Sequence, residues 1–336
     1  MAFSKKEFIA GLCAGGRRSV LPIMTSPGME LLGSAPQHVF RDGFLQYECI
    51  RTLAEKYPLD ARVTFMDLSV EAEAFGAPIQ YSEYENPTVT APIANTPESV
   101  EALNVPVAGV CRTAEVIKCA ALCAQNIPEP VFAGTIGPYT LAGRLADMTE
   151  MMVMLYADPD TARKLIAKAA KFITAYILEL KKTGVAGVMI AEPASGLISP
   201  DMCMEFSSRY IREICDAVKD DDFMVILHNC GRTEEQVEAM LYTNADALHV
   251  GNSVDIVNIL KQTPAHIPVM GNLDPVGVLR DMKADAVYKV AAELLQRTAE
   301  YPNFVFSSGC DMPPGVPHEN IAAFLKAVDD YNISIK

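Results

Sequence analysis

Three side chains of this sequence could together hold a transition metal. The run Val225-Ile-Leu-His-Asn-Cys-Gly-Arg-Thr233 is apolar until it reaches His228-x-Cys230. Side chains two apart on an extended backbone leave the same face, so the imidazole and the thiol can converge on one point. Cys310 also follows an apolar run, Phe304-Val-Phe-Ser-Ser-Gly309, with a glycine before it to make room. Two thiols and one imidazole suit zinc, and three protein ligands with a fourth position open are the pattern of a catalytic rather than a structural site. The competing reading is packing: cysteine is among the most buried residue types, and in a chain with nine cysteines a His-x-Cys arises readily by chance. What separates the two readings is where the chain places these residues.

The positioning elements follow from hydrophobic periodicity and breaker residues. After a short amphipathic helix at 3–13, strands are expected at 20–24, 62–66, 131–135, 187–190, 224–227, 247–250, 268–271 and 304–307. The segment Thr25–Glu30 reads as a loop. Helices are expected at 43–57, 112–126, 149–156, 158–183, 200–218, 233–242, 255–262, 275–282, 284–300 and 319–330. Eight strand-like runs, each followed by helix, are the count of an α/β (β/α)₈ TIM barrel, so a single domain over 1–336 is expected rather than two. Residues 76–106 interrupt the rhythm with Pro78, Pro87, Pro92, Pro97 and Pro106, an irregular excursion after the second strand that would lie over the barrel mouth. In such barrels the active site sits at the C-terminal ends of the strands. Glu192, His228, Cys230, Asn272, Asp274 and Cys310 all fall there, and His249, also at a strand end, is expected to line the same pocket. Glu192 is open to two readings, a displaceable fourth metal ligand or a carboxylate that orients a neighbour or caps the next helix. Cys119 and Cys123, four apart among Ala120, Ala121 and Leu122, read as core.

Composition excludes several classes. Half of the 336 residues are hydrophobic, enough for a large core, and 21% are charged, with no low-complexity tract. A net charge of −14 without any basic cluster argues against a nucleic-acid surface. No stretch approaches the apolar length of a membrane span. An acidic residue and glycines interrupt the opening residues where a signal peptide would be continuously apolar, and the scattered cysteines form no disulfide framework. A reducing cytoplasm is the expected compartment.

Certain segments resemble a known family. Gly309-Cys-Asp-Met-Pro-Pro-Gly-Val-Pro-His-Glu-Asn-Ile321, Gly137-Pro-Tyr-Thr-Leu141 and Gly271-Asn-Leu-Asp-Pro275 are similar to the uroporphyrinogen decarboxylase superfamily, over most of the chain. Within it, His228-x-Cys230 with Cys310 resembles the zinc signature of the methylcobamide-dependent methyltransferases. That resemblance implies a methyl group moved from a corrinoid protein to coenzyme M or another small thiol. It also implies that Asn272, Asp274 and His249 contribute to cofactor binding. The chemistry is coherent: a thiol is only a few per cent thiolate at neutral pH, and binding to Zn²⁺ deprotonates it. The thiolate would take the methyl group from Co(III) of methylcobamide and leave Co(I). The decarboxylase branch is matched poorly, because its arginine-rich N-terminal signature is not visible: Arg17-Arg18 precede the first strand, and Thr25-Ser-Pro-Gly-Met-Glu30 follows it.

Rival functions remain beside this one. The cobalamin-independent methionine synthase core is also a zinc barrel with His-x-Cys and a distant Cys, but the zinc carboxylate of that family has no counterpart in His249-Val-Gly-Asn-Ser253. Tetrahydrofolate is an alternative acceptor. A non-catalytic subunit that docks corrinoid proteins would have no need of an open metal position.

Overall fold

The computed structural model describes residues 3–335. Seven strands build the main sheet: β1 (Arg62–Val63), β4 (Val131–Ile136), β5 (Gly187–Ala191), β6 (Met224–Asn229), β7 (Ala247–Val250), β8 (Val269–Leu273) and β9 (Phe304–Ser308). The remaining two, β2 (Ile79–Gln80) and β3 (Thr88–Val89), form a separate antiparallel hairpin. The main sheet is parallel, in the order β1-β4-β5-β6-β7-β8-β9, and is curled into a barrel with helices outside. The expected first strand at 20–24 is reduced to one parallel bridge, Val20 with Phe306. Leu21 N donates to Phe306 O, and Asp60 N donates to Val20 O. The segment therefore spans the seam between β9 and the start of β1, the place an eighth strand would occupy.

Alternation along the strands separates two apolar layers. Met189, Ile226, Ala247, Met270 and Val305 fill the barrel interior with Leu21, Ile23, Val63 and Phe132. The residues between them, among them Val188, Ile190, Val225, Leu227, Leu248, Val269 and Phe304, face the helices. Inward positions are thus odd on β5, β7 and β9 and even on β6 and β8, a parity that governs the site below.

Most helices form where the apolar spacing places them. The long one, Pro159–Lys182, opens on Asp158, whose side chain accepts from Thr161 N, with proline in the first turn. Three expectations are corrected. Thr25–Glu30 is not a loop: Ser26–Leu32 is helical, because Pro27 sits in the first turn, where its missing N–H has no intrahelical partner to lose, and Gly33 closes the end in a left-handed conformation. Residues 275–282 form turns rather than a helix: Asp274 accepts from Val276 N and Gly277 N as a helix cap would, but Val276, Gly277 and Val278 are poor helix formers and the turns do not propagate. The helix expected at 200–218 passes through a π-helical segment at Met204–Ser208. Among the described residues no helix is long and apolar enough to cross a membrane.

Candidate metal centre

His228 is the inward residue next after Ile226 on β6, and Cys230 lies two further on, just past the strand. Cys310 follows the end of β9. One donor atom from each of His228, Cys230 and Cys310 lies within 4.8 Å of the other two, and no further His, Cys, Asp or Glu among the described residues joins them. Cys310 Sγ is 3.8 Å from His228 Nε2. The approach depends on two glycines. A Cβ at Gly251 would stand 2.5 Å from Cys230 Cα, and one at Gly309 would stand 2.7 Å from Asn252 N, so any larger residue would push the loops apart.

The hydrogen-bond chain beneath His228 sets its tautomer. Ser307 Oγ donates to Ser308 O and so accepts from His249 Nε2, at 2.9 Å. His249 is fully buried, and burial, then the neighbouring His228, holds its pKa well below the ordinary imidazole range, so the ring is neutral. Its Nδ1 is then an acceptor, 2.8 Å from His228 Nδ1, which must donate. Nε2 of His228 is left facing the two thiols with its lone pair free for an ion. Neither His249 in this role nor Ser307 was legible from the motif alone. His249 does not line the pocket, contrary to expectation. The signal that could have found the pair is parity: His249 is the register partner of His228, and Ser307 is the inward residue after Val305.

The thiols are unequal. Hydrogen bonds from Cys310 and His228 hold the Cys230 thiol well below the ordinary cysteine range against the opposing effect of burial. Cys310 is pushed well up, first by its hydrogen bond to Cys230 and then by burial.

These groups form part of the wall of a cavity of about 440 Å³ that opens at the C-terminal rim. Its other walls include Met66, Asp67, Leu68, Ala191, Pro193, Arg144 and the Asp311–Pro314 loop. Tyr84–Pro87, between β2 and β3, complete it. Asp311 fastens the Cys310 loop to the N-terminal segment: its carboxylate accepts from Thr25 N at 3.1 Å and Thr25 Oγ1 at 2.5 Å, and burial pushes its pKa up to about 6. The hairpin is held through Tyr81, whose hydroxyl donates to Glu73 at 2.8 Å. Glu73 in turn pairs with Arg112 at 2.6 Å, and Arg112 also pairs with Asp67 in the cavity wall.

Glu192, Asn272 and Asp274 are not brought to the metal cluster. Ala191 is the register partner of His228 and faces inward, so Glu192 turns outward. Its Oε1 accepts from Tyr139 N at 2.8 Å and Thr140 N at 3.1 Å, at the start of the Pro138–Ala146 helix. It therefore serves the second of its two readings, although the helix it caps is the preceding one. Burial pushes its pKa up to about 8. Asn272 Nδ2 donates to Gly251 O at 2.9 Å and Val254 O at 2.8 Å, bracing the β7 loop. With Asp274 it lines a separate recess, beside Val278 and Arg297.

Fold and site together define a barrel with a three-donor, cysteine-rich group at the C-terminal rim of its strands. The uroporphyrinogen decarboxylase (URO-D) family model matches residues 23–331, and the chain belongs to that family. It is 30% identical over 287 residues to uroporphyrinogen decarboxylase of Legionella pneumophila (strain Paris), covering 82% of this chain and 80% of that protein. With that of Alcanivorax borkumensis it shares 26% over 291 residues, 82% and 80% of the two chains. A methyltransferase from Methanosarcina mazei superposes with a TM-score of 0.86 at 21% identity, over 98% of this chain and 99% of that one. A B12-independent methionine synthase from Shewanella sp. W3-18-1 follows at 0.58 and 16%, over 95% and 96%. At these identities the structural likenesses show the fold.

Proposed function

We propose that this protein is a zinc-dependent methyltransferase that moves a methyl group from a methylated corrinoid, carried by a partner corrinoid protein, to a thiol such as coenzyme M. The observation that carries the reading is the grouping of His228, Cys230 and Cys310 within 4.8 Å, without a fourth protein donor among the described residues, in the wall of an open cavity. The residues fit zinc: two sulfurs and one imidazole nitrogen are its preferred donors, and three leave one position for a substrate. When bound, zinc would supply the acidity that makes an incoming thiol a thiolate at neutral pH.

The chain's own part is positional and electrostatic. The anionic cysteine ligands keep electron density on the acceptor sulfur, which favours alkylation over what an all-histidine site would give. His249 and Ser307 hold the His228 ring in the one tautomer that can ligate. Met66, Leu68, Met312 and Pro313 line the cavity and limit the water around the reacting sulfur. In the transfer the sulfur–carbon bond forms as the cobalt–carbon bond breaks, its electron pair stays on cobalt, Co(III) becomes Co(I), and the thiol proton leaves to solvent. The hairpin tip at Tyr84–Pro87, at the cavity's edge, would meet the corrinoid protein.

Decarboxylation of a tetrapyrrole, the activity of the named relatives, fits these walls less well. A substrate rich in carboxylates calls for several cations. Here Arg144 is the one Arg or Lys in the cavity lining, against Asp67, Glu85 and Asp311. Arg17 pairs with Asp60, and Arg18 donates to the carbonyls of Thr298, Tyr301 and Phe304, so neither serves the mouth. Elemental analysis combined with methylcobalamin demethylation tests the reading. About one zinc per chain, with Co(I) formed only when a thiol is added, supports it. Metal-free protein that turns over uroporphyrinogen and leaves methylcobalamin intact would sink it.

A further inference from the structure

A second cavity lies behind the mouth and shares part of its wall. Met66, Asp67 and Leu68 line both, while Gln46, Glu71 and Tyr176 line only the inner one. The inner cavity adjoins a gap in the sheet. β1 ends at Val63, so the N–H groups of Gly134 and Ile136 on the neighbouring β4 have no strand to meet. Side chains take its place. Thr64 Oγ1 accepts from Gly134 N at 2.9 Å, and Glu71 Oε1 accepts from Ile136 N at 3.1 Å and from Thr135 Oγ1 at 2.8 Å. Glu71 thereby closes the end of β4, just before the Pro138–Ala146 helix that walls the mouth through Arg144.

The other oxygen of Glu71 is unanswered. Among the described residues no group lies within hydrogen-bond distance of Glu71 Oε2, the Tyr176 hydroxyl or Gln46 Oε1, and all three atoms are buried. They come from three helices, Val70–Ala74, Pro159–Lys182 and Gly43–Lys56, whose side chains meet at the one cavity. After burial itself, Glu71 does most to raise the Tyr176 pKa, so carboxyl and hydroxyl are near each other. Buried polar atoms left unmet are costly, and three around one space call for a common partner. That space leaves about 10 Å³ for the centre of a water-sized sphere, the room of a single water. We propose that one internal water bridges Glu71 Oε2, the Tyr176 hydroxyl and Gln46 Oε1, and so holds in place the carboxyl that closes β4. A water suits these partners. It donates to the Gln46 carbonyl, meets a hydroxyl either way, and donates to a carboxylate or accepts from a carboxyl. The last point matters because burial pushes Glu71 up to about 7, where both forms occur at neutral pH. Sodium or potassium suits less. A hard cation takes about six or more oxygens, and Arg112, paired with Asp67 in the shared wall, adds positive charge close to Tyr176.

Two measurements on the whole chain test this. In a high-resolution crystal structure of the wild type, one density peak is expected at about 2.7–3.2 Å from all three atoms, and a thallium(I) soak, which marks monovalent-cation sites by anomalous scattering, should leave it unlabelled. Amide hydrogen exchange then reads the hold on β4. Tyr176→Phe and Gln46→Met each remove one partner of the water and touch neither Thr135 nor Ile136, yet each should speed exchange at Ile136 N about five- to tenfold, the scale of one hydrogen bond. Tyr139 N and Thr140 N, held by Glu192 instead, serve as the control and should not change. Glu71→Gln keeps an acceptor for Ile136 and a donor for the water, so it should retain both the peak and the protection. No density between the three atoms, a peak that thallium labels, or unchanged exchange at Ile136 in both variants would each overturn the proposal. Should the variants fail to fold, the wild-type maps with and without thallium decide it alone.

Discussion

Two groups of cysteines in this molecule are close-packed, and only one has the makings of a metal site. On the Arg112–Asn126 helix, Cys119 Sγ and Cys123 Sγ are 3.9 Å apart, with Cys49 of the facing Gly43–Lys56 helix near by. All three are fully buried, and among the described residues they join no imidazole or carboxylate in a metal-ligand group. At the barrel mouth the thiols of Cys230 and Cys310 are close as well, yet they share His228 and open onto the cavity. The chemical difference lies in the protons. In the helix pair, Cys119 is pushed well up by its hydrogen bond to Cys123 and by burial, and burial takes Cys49 up to about 12. At the mouth, Cys230 is held down. Proximity of sulfurs therefore does not make a ligand set; a means of losing the proton does.

The most severe break in that comparison is removal of a mouth thiol. Cys230→Ala and Cys310→Ala are each expected to reduce zinc from about one per chain to near none and to lower thiol-dependent demethylation by about a thousandfold or more. Cys119→Ala should keep both. Zinc lost equally from Cys119→Ala, measured by elemental analysis of the folded protein, would erase the distinction. A smaller effect is expected beneath the ligands. Ser307→Ala removes the acceptor of His249 Nε2 and frees the tautomer of His228, so zinc affinity against a competing chelator should fall about 10- to 100-fold. An unchanged affinity would mean that the chain from Ser307 to His228 plays no part in holding the ligand.

How far the sequence shows this arrangement follows from what spacing can and cannot encode. His228-x-Cys230 and Cys310 were legible, because a two-residue step on a strand keeps side chains on one face and an apolar run marks each strand. The barrel was legible for the same reason. Glu192 was not, since counting from the strand end does not say which parity faces inward; only the pairing of Ala191 with His228 does. Asn272 and Asp274 share a strand end with the site, but their side chains satisfy neighbouring backbone groups instead. The helix expected at 275–282 is replaced by turns because Val276, Gly277 and Val278, straight after the Asp274 cap, are poor helix formers, a propensity that apolar spacing does not register.

The comparison extends to carboxyl groups, with Glu192 on the helix side of the wall. Burial raises its pKa from the ordinary 4.5 to about 8, so the folded protein keeps a proton that the unfolded chain releases above about pH 4.5. Its contribution to stability is fully present below pH 4.5 and is lost as pH rises through 8. Glu192→Gln, neutral throughout, should remove that slope. Between about pH 5 and 8 the wild type is expected to lose up to a few kcal/mol relative to the variant in metal-free denaturant titrations. Parallel curves would show that the carboxyl is ionised in the folded state, and the contrast between a proton-keeping helix side and a proton-losing mouth would fail there.

The smallest effect sharpens the contrast from the other direction. Cys119 and Cys123 pack as small apolar groups, so Cys119→Ala removes one buried sulfur and leaves a void smaller than a methionine or leucine truncation would. A loss of about 1 kcal/mol follows, about 1–2 °C in melting temperature for a chain of this length. Because the hydrogen bond to Cys123 and burial push the Cys119 thiol well up, that loss should be the same at about pH 6 and about pH 8, and with or without zinc. A loss that grew on adding zinc would show that the metal stabilises the helix pair, and packing alone would no longer account for it.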